Sequence, residues 1–244
     1  MKIFLSVIIP CYNGAEVLPK TLIAVDKFLS TKEYPYEILV INDGSRDRTA
    51  EVAVNMTAAI KNLKVVNNPT NQGKGGVVKQ GMLVSRGAYR LFMDDDNSTS
   101  IEHVDLMLPC FEQGYQVVIG SRAAKGARLE PAEPFYRQLL GKAGNLLIQL
   151  TNVPGIWDTQ CGFKAFTAEA AERIFPHLKI NRWGFDIEVL TLARKLGYRV
   201  KEVPVRWVNN PNSRVSLSAY LQVFVENFKI RWWLWTGAYG NLGR

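Results

Sequence analysis

The chain has 244 residues, 47% of them hydrophobic, enough for one large α/β domain with a buried core. Its formal net charge of +8 admits nucleic acid, an anionic membrane surface or a phosphate-rich substrate as partner, without choosing among them. Three scattered cysteines, Cys11, Cys110 and Cys161, show no CxxC spacing, which argues against a disulfide framework and a zinc site and fits a reducing cytoplasm.

Lys2 and the short apolar stretch Ile3 to Ile9 have the outline of a signal peptide, but the run stops at Pro10-Cys11 without a small-residue cleavage site. It reads as a buried first strand. Further strand-like runs follow at Glu37-Ile41, Leu63-Val66, Tyr89-Met93 and Gln116-Ile119, and amphipathic helical stretches separate the first four strands. This alternation predicts βα repeats, a mostly parallel sheet with helices on both faces. Ligands of such sheets bind at the carboxyl ends of the strands. The residues placed there are Cys11-Tyr12-Asn13, Asn42-Asp43-Gly44-Ser45, Asn71 to Gly76, Asp94-Asp95-Asp96 and Gly120-Ser121-Arg122.

Beyond residue 122 come a basic loop from Arg122 to Arg128, a helical segment from Phe135 to Leu150 and a turn-rich stretch from Pro154 to Gly162. A helix from Asp186 to Leu196 then leads into a strand from Val200 to Trp207, and Asn209 to Ser213 reads as a loop. From Leu217 to Trp235, the residues Leu217, Tyr220, Leu221, Phe224, Phe228, Trp232 and Trp235 recur at helical spacing beside Lys229 and Arg231. Such a basic, Trp- and Phe-rich helix matches an interfacial membrane anchor. A helix docked on the core, or a subunit interface, is the plainer alternative. No stretch reaches the roughly 18 uninterrupted apolar residues of a membrane span.

The strongest chemical signal is Asp94-Asp95-Asp96 at the end of an apolar strand. Carboxylates crowded this closely repel one another and are usually kept together for a cation; hard oxygen ligands favour Mg²⁺ or Mn²⁺. A solvated acidic turn is the plainer alternative. Asp43 is placed to accept hydrogen bonds from a base or ribose, or else belongs to an ordinary turn in which Ser45 or Asp47 caps the next helix. Gly73-Lys74-Gly75-Gly76 lacks the GxxxxGK[ST] spacing of a P-loop, yet a Gly-rich helix start receives an anion through its N–H groups. Arg122, Arg128, Arg137 and Arg214 fall in loops or near helix starts, where guanidinium forks suit a diphosphate.

Taken in order, Val7 to Asn13, Asn42 to Asp47, the aspartate triplet and Gly120-Ser121-Arg122 resemble glycosyltransferase family 2. Asn71 to Gly76, Asp158 to Lys164 and Arg182 to Glu188 are most similar to its dolichyl-phosphate β-glucosyltransferase branch, over about residues 3 to 216. The resemblance implies a GT-A catalytic domain over residues 1–216 and a C-terminal amphipathic helix over 217–244. It implies that Pro10, Tyr12, Glu16 and Asp43 hold the nucleoside, with Asn13, Lys74 and Asp95 in the same donor-binding set. Asp94 and Asp96 would approach Mg²⁺ or Mn²⁺ and the diphosphate, and Arg122, Arg137 and Arg214 would contact diphosphate or acceptor phosphate. Asn42 stands where the family usually has aspartate, Ser98 stands where the mannosyl branch has glutamine, and the transmembrane helices of many relatives are missing.

The activity implied is metal-dependent, inverting transfer of glucose from UDP-glucose to a polyprenyl or dolichyl phosphate, at the cytoplasmic face of a membrane reached through the C-terminal helix. A lipid phosphate, with a second pKa of about 6, is already ionised and needs no base. A sugar hydroxyl would need one, from Asp158, Asp186 or Glu188, each of which is equally a helix cap or a partner for Arg182 or Lys164. Four alternatives stay open: GDP-mannose as donor, a saccharide hydroxyl as acceptor, a nucleotidyltransferase, and a basic membrane- or RNA-binding protein. Against the last, Lys and Arg are scattered and no RNA-binding motif is present, so no nucleic-acid partner is expected.

Overall fold

The computed structural model describes residues 2–130, 135–208 and 217–240. The first half is a regular alternation: β1 Leu5–Cys11, α1 Leu18–Leu29, β2 Tyr36–Asn42, α2 Thr49–Met56, β3 Leu63–Asn67, α3 Lys74–Val84 and β4 Tyr89–Met93. Next come α4 Val104–Glu112, β5 Val117–Ser121, β6 Arg128–Glu130, α5 Phe135–Thr151, β7 Phe163–Thr167 and α6 Ala168–Ile174. The chain closes with α7 Phe185–Lys195, β8 Val200–Pro204, β9 Arg206–Val208 and α8 Leu217–Trp235.

Seven strands form one sheet in the order β3-β2-β1-β4-β7-β5-β8, with β7 antiparallel to both neighbours and every other pair parallel. The predicted α/β class and mostly parallel sheet are therefore observed. Side chains alternate between two cores, as the period of a strand requires. Ile8, Phe92, Ile119 and Phe166 pack on the α3, α6 and α7 side, while Val7, Leu91, Val118 and Ala165 pack on the α1 and α4 side. With both faces covered, β1 is buried at every position.

Two elements differ from the sequence reading. The strand expected over Val200 to Trp207 is two strands: β8 lies at the edge of the main sheet, and β9 pairs with β6 in a separate ribbon. Pro204, which has no N–H for a ladder, closes β8. Strand β7 and helix α6 have no counterpart in the sequence reading, because Lys164 interrupts the apolar run Phe163–Phe166 that would otherwise signal a strand. The helix expected from Phe135 is observed.

Helix α8 docks on the same core as α5 and α7. Its inward stripe is Ala219, Glu226, Asn227 and Ile230, with Val223, Trp233 and Leu234 partly covered. Asn227 exchanges hydrogen bonds with Thr151 of α5 and with Asn152 just beyond it, and the Gly184 N–H donates to Glu226 Oε2 at 2.7 Å. Tyr220, Leu221, Phe224, Phe228, Trp232 and Trp235 point outward and are exposed. Among the described residues, no helix is long and apolar enough to cross a membrane.

Candidate active site

Because β1 pairs with β2 on one side and β4 on the other, a topological switch point lies at the carboxyl ends of β1 and β4. Asp94, Asp95 and Asp96 follow β4 directly, and Cys11, Tyr12 and Asn13 stand opposite at the end of β1. The three aspartates do not act alike. Asp94 Oδ1 forms an ion pair with Lys74 Nζ at 2.5 Å, and Asp96 Oδ1 accepts the Ser98 N–H at 2.9 Å. Asp95 Oδ2 instead accepts the Cys11 thiol at 2.9 Å, and Thr21 Oγ1 donates to the Asp95 carbonyl at 2.7 Å. Asp95, expected among the donor-binding residues, is thus engaged with β1 and α1. Burial, reinforced by the charges of Asp94 and Asp96, pushes its carboxyl up to about 6. Burial and the Asp95 charge likewise hold the Cys11 thiol protonated.

Lys74 opens α3. Gly73 precedes it at φ +88°, a conformation suited to glycine, and a side chain at Gly73 would collide with the Asn181 carbonyl. That close approach brings the Lys74 ammonium within 5.9 Å of the Trp183 ring centroid. Burial disfavours the Lys74 charge, but Asp94 and Asp186 outweigh it and hold the ammonium above the usual lysine range. Asp43, expected to hold the nucleoside, also organises the neighbouring loop: its carboxylate accepts Asn71 Nδ2 at 2.8 Å, Gln72 N at 2.6 Å and Gly73 N at 3.0 Å, fixing the segment that leads to Lys74. Burial pushes the Asp43 carboxyl up against the pull of these donors.

Asn13 takes a left-handed conformation at φ 51°; its N–H donates to Ser45 Oγ and its Oδ1 accepts the Arg46 N–H. Asn42 Oδ1 accepts the Ser45 hydroxyl, and Asn42 Nδ2 donates to Asn67 Oδ1, so asparagine here bridges two strands and a turn. Pro10 is buried in β1, Tyr12 is 37% exposed and Glu16 is exposed ahead of α1.

Arg122 sits at the end of β5, on the same edge of the sheet. Its Nε and Nη2 meet Asp158 Oδ2 and Oδ1 at 2.8 and 2.9 Å, its own N–H donates to Oδ2, and the guanidinium lies 5.4 Å from the Trp207 ring centroid. Burial works against the Asp158 charge, yet Arg122 holds that carboxyl below the usual range. The turn from Asp158 ends at Gly162, whose carbonyl accepts the Asp94 N–H at 3.1 Å. A side chain at Gly162 would collide with the Asp94 carboxylate. One short turn therefore ties Arg122 to Asp94. The side chains of Arg137 and Arg214 lie outside the described residues.

Two further carboxylates are committed elsewhere. Asp186 Oδ1 pairs at 2.5 Å with Lys164 Nζ, which is fully buried and also donates to the Cys161 carbonyl. Burial raises the Asp186 carboxyl, opposed by Lys164 and Lys74. Glu188 accepts the N–H groups of Lys179 and Ile180 and the Tyr239 hydroxyl, beneath the C-terminal helix. The bond from the Cys11 thiol to Asp95 has no counterpart in the sequence reading, whereas the pairing of Asp186 with Lys164 is one of the alternatives left open there.

A model of glycosyl transferase family 2 matches residues 6–175. The dolichyl-phosphate beta-glucosyltransferase of Dictyostelium discoideum is 38% identical over 243 residues, covering 94% of this chain and 74% of that protein. Its namesake in Homo sapiens is 32% identical over 249 residues, covering 96% and 77%. Among solved structures, mannosyl-3-phosphoglycerate synthase from Rubrobacter xylanophilus superposes with a TM-score of 0.68 at 17% identity, over 99% of this chain and 77% of that one. Glucosyl-3-phosphoglycerate synthase from Mycobacterium tuberculosis, solved with Mn²⁺, uridine diphosphate and glucosyl-3-phosphoglycerate, gives 0.67 at 18% identity over 94% and 80%. These structural likenesses establish the fold.

Proposed function

The chain belongs to glycosyltransferase family 2 and has the GT-A fold, and from that membership we propose that it transfers glucose from UDP-glucose to a polyprenyl phosphate of the dolichyl type, with inversion. The observation that carries the acceptor class is the state of the three candidate bases. Asp158 is locked to Arg122, Asp186 to Lys164, and Glu188 to backbone N–H groups and Tyr239. A sugar hydroxyl needs a carboxylate to take its proton. A phosphate monoester is largely ionised at neutral pH and attacks without one. The relatives named above support both glucose and the lipid phosphate.

Asp94 and Asp96 supply two hard oxygen ligands at alternate positions. Among the described residues, no group of three or more His, Cys, Asp or Glu side chains is arranged for a metal. That donor set fits Mg²⁺ or Mn²⁺, which complete their shells with substrate phosphates and water. A divalent cation there would neutralise charge on the departing diphosphate. The chain's own residues do the rest. Lys74 presents a cation beside Asp94, the N–H groups at the start of α3 favour an anion, and Asp158 holds Arg122 as a planar donor at the same edge. Asp43 fixes the loop before α3, and Pro10, Tyr12, Asn13 and Glu16 are the residues assigned to the nucleoside. The outward aromatic face of α8, with Lys229 and Arg231, would lie in an anionic membrane interface and bring the site to the cytoplasmic face where its acceptor is held.

The test is nucleoside diphosphate release from a panel of nucleotide sugars with Mn²⁺ or Mg²⁺, with and without a polyprenyl phosphate. UDP-glucose with the lipid is expected to turn over, and Asp96→Ala to lose on the order of 10²-fold or more. Turnover of GDP-mannose would move the donor assignment. Turnover only with an oligosaccharide would overturn the acceptor, and pyrophosphate release would overturn the reaction class.

A further inference from the structure

Trp157 is 61% exposed, yet its backbone is among the most firmly held in the turn that organises the site. The N–H groups of Trp157 and Asp158 donate to the two oxygens of Glu202, each at 3.0 Å, and Asn145 Nδ2 donates to the Trp157 carbonyl at 2.6 Å. The next residue, Asp158, grips Arg122 in a two-pronged ion pair, and the same turn ends on Asp94 through Gly162. A large indole is thus presented to solvent from a rigid backbone, one residue from the carboxylate that positions the edge's arginine. Asn145 starts a further apolar exposure: Leu146 and Leu150, one turn apart on α5, are 54% and 78% exposed, and α5 packs against α8.

The guanidinium of Arg122 lies 5.4 Å from the Trp207 ring centroid, and the exposed indole of Trp157 stands one residue from its Asp158 partner; an anion donor so close to exposed aromatic surface suits an amphiphile with a phosphate head and an apolar stem. We propose that Trp157 is a binding residue for the acceptor, its indole covering the first isoprene units next to the phosphate held at Arg122. The proposal rests on the acceptor class assigned above. The occupant is the isoprenoid stem of the acceptor, since an apolar chain must leave the phosphate across whatever surface adjoins Arg122. Bilayer lipid is the other apolar material that an exposed tryptophan meets, and the test separates the two.

The full chain would be assayed with UDP-glucose, Mn²⁺ and citronellyl phosphate in solution, comparing wild type, Trp157→Ala and Trp157→Phe. Trp157→Ala should raise the KM for citronellyl phosphate about tenfold, the loss expected for uncovering roughly 55 Å² of apolar contact. The kcat and the KM for UDP-glucose should stay within about twofold, the signature of lost ground-state binding to one substrate. Trp157→Phe should retain most of the acceptor affinity. Co-sedimentation with vesicles of mixed phosphatidylcholine and phosphatidylserine should not change. An unaltered acceptor KM overturns the proposal, as does a loss of vesicle binding in its place, which would make Trp157 a membrane anchor. If the wild type transfers glucose to no polyprenyl phosphate, it is the functional reading itself that fails.

Discussion

The carboxyl edge of the sheet and helix α8 both break the ordinary rule of burial, in opposite directions. At the edge, Asp43, Asp158, Lys164 and Asp186 are buried charged groups. On α8, Phe224, Phe228, Trp232 and Trp235 are exposed aromatics, while Glu226 and Asn227 turn inward. The buried charges all have partners inside the chain: Asp43 its loop amides, Asp158 its arginine, Lys164 and Asp186 each other. The inward polar groups of α8 do too, through Gly184, Thr151 and Asn152. The outward aromatics of α8, by contrast, look to something beyond the chain. A buried charge that is fully paired serves geometry, whereas an apolar face left in water points to a partner that removes it from water.

Unpairing the deepest charge should have the largest effect. Lys164→Met leaves Asp186 buried without its cation and should lower stability by about 3–5 kcal/mol, a fall in Tm of roughly 6–20 °C for a chain of this size. Lys164→Met combined with Asp186→Leu should recover at least half of the loss in a thermal melt. A single variant melting within about 2 °C of wild type would mean that the pair does not hold the two elements together.

Removing the outward aromatics should do the reverse, leaving the fold and losing the partner. Phe228→Ser, Trp232→Ser and Trp235→Ser together are expected to weaken co-sedimentation with anionic vesicles by roughly tenfold or more, with Tm nearly unchanged. A large fall in Tm would instead show that these side chains support the core.

The smallest effect concerns Asp95, the one aspartate of the triplet turned toward β1. Its folded-state value of about 6 lies above the unfolded value of about 4. The folded chain therefore holds that proton more tightly, and stability falls as pH rises from about 4 through about 6. Asp95→Asn, which keeps an acceptor for the Cys11 thiol, should raise Tm by about 2–4 °C at pH 7.5 in metal-free buffer, and by much less near pH 4.5. A difference independent of pH would show that Asp95 carries no strain of charge.

Much of this was legible in sequence for a physical reason. The βα repeats over β1 to β4 are local patterns of period 2 and 3.6, and the polar residues after each strand reach the same edge in any doubly wound sheet. The DxD aspartates, Lys74, Arg122 and the family resemblance follow from such local order. Strand β7 was not legible, because a strand carrying Lys164 among phenylalanines is stable only when Asp186, 22 residues away, meets that lysine inside the fold.

Local order in the chain is therefore enough to give the class of fold, the edge that gathers the polar loops and the aromatic stripe of α8. How the charges are used depends on packing. It divided Asp94-Asp95-Asp96 into one carboxylate paired with Lys74, one accepting the Ser98 N–H and one held by Cys11, and it assigned Asp158 to Arg122 and Asp186 to Lys164. It also chose which face of α8 is covered. Spacing along a chain sets which side chains share a face, but the partner of a buried charge comes from elsewhere in the sequence, and only packing brings the two within hydrogen-bonding distance.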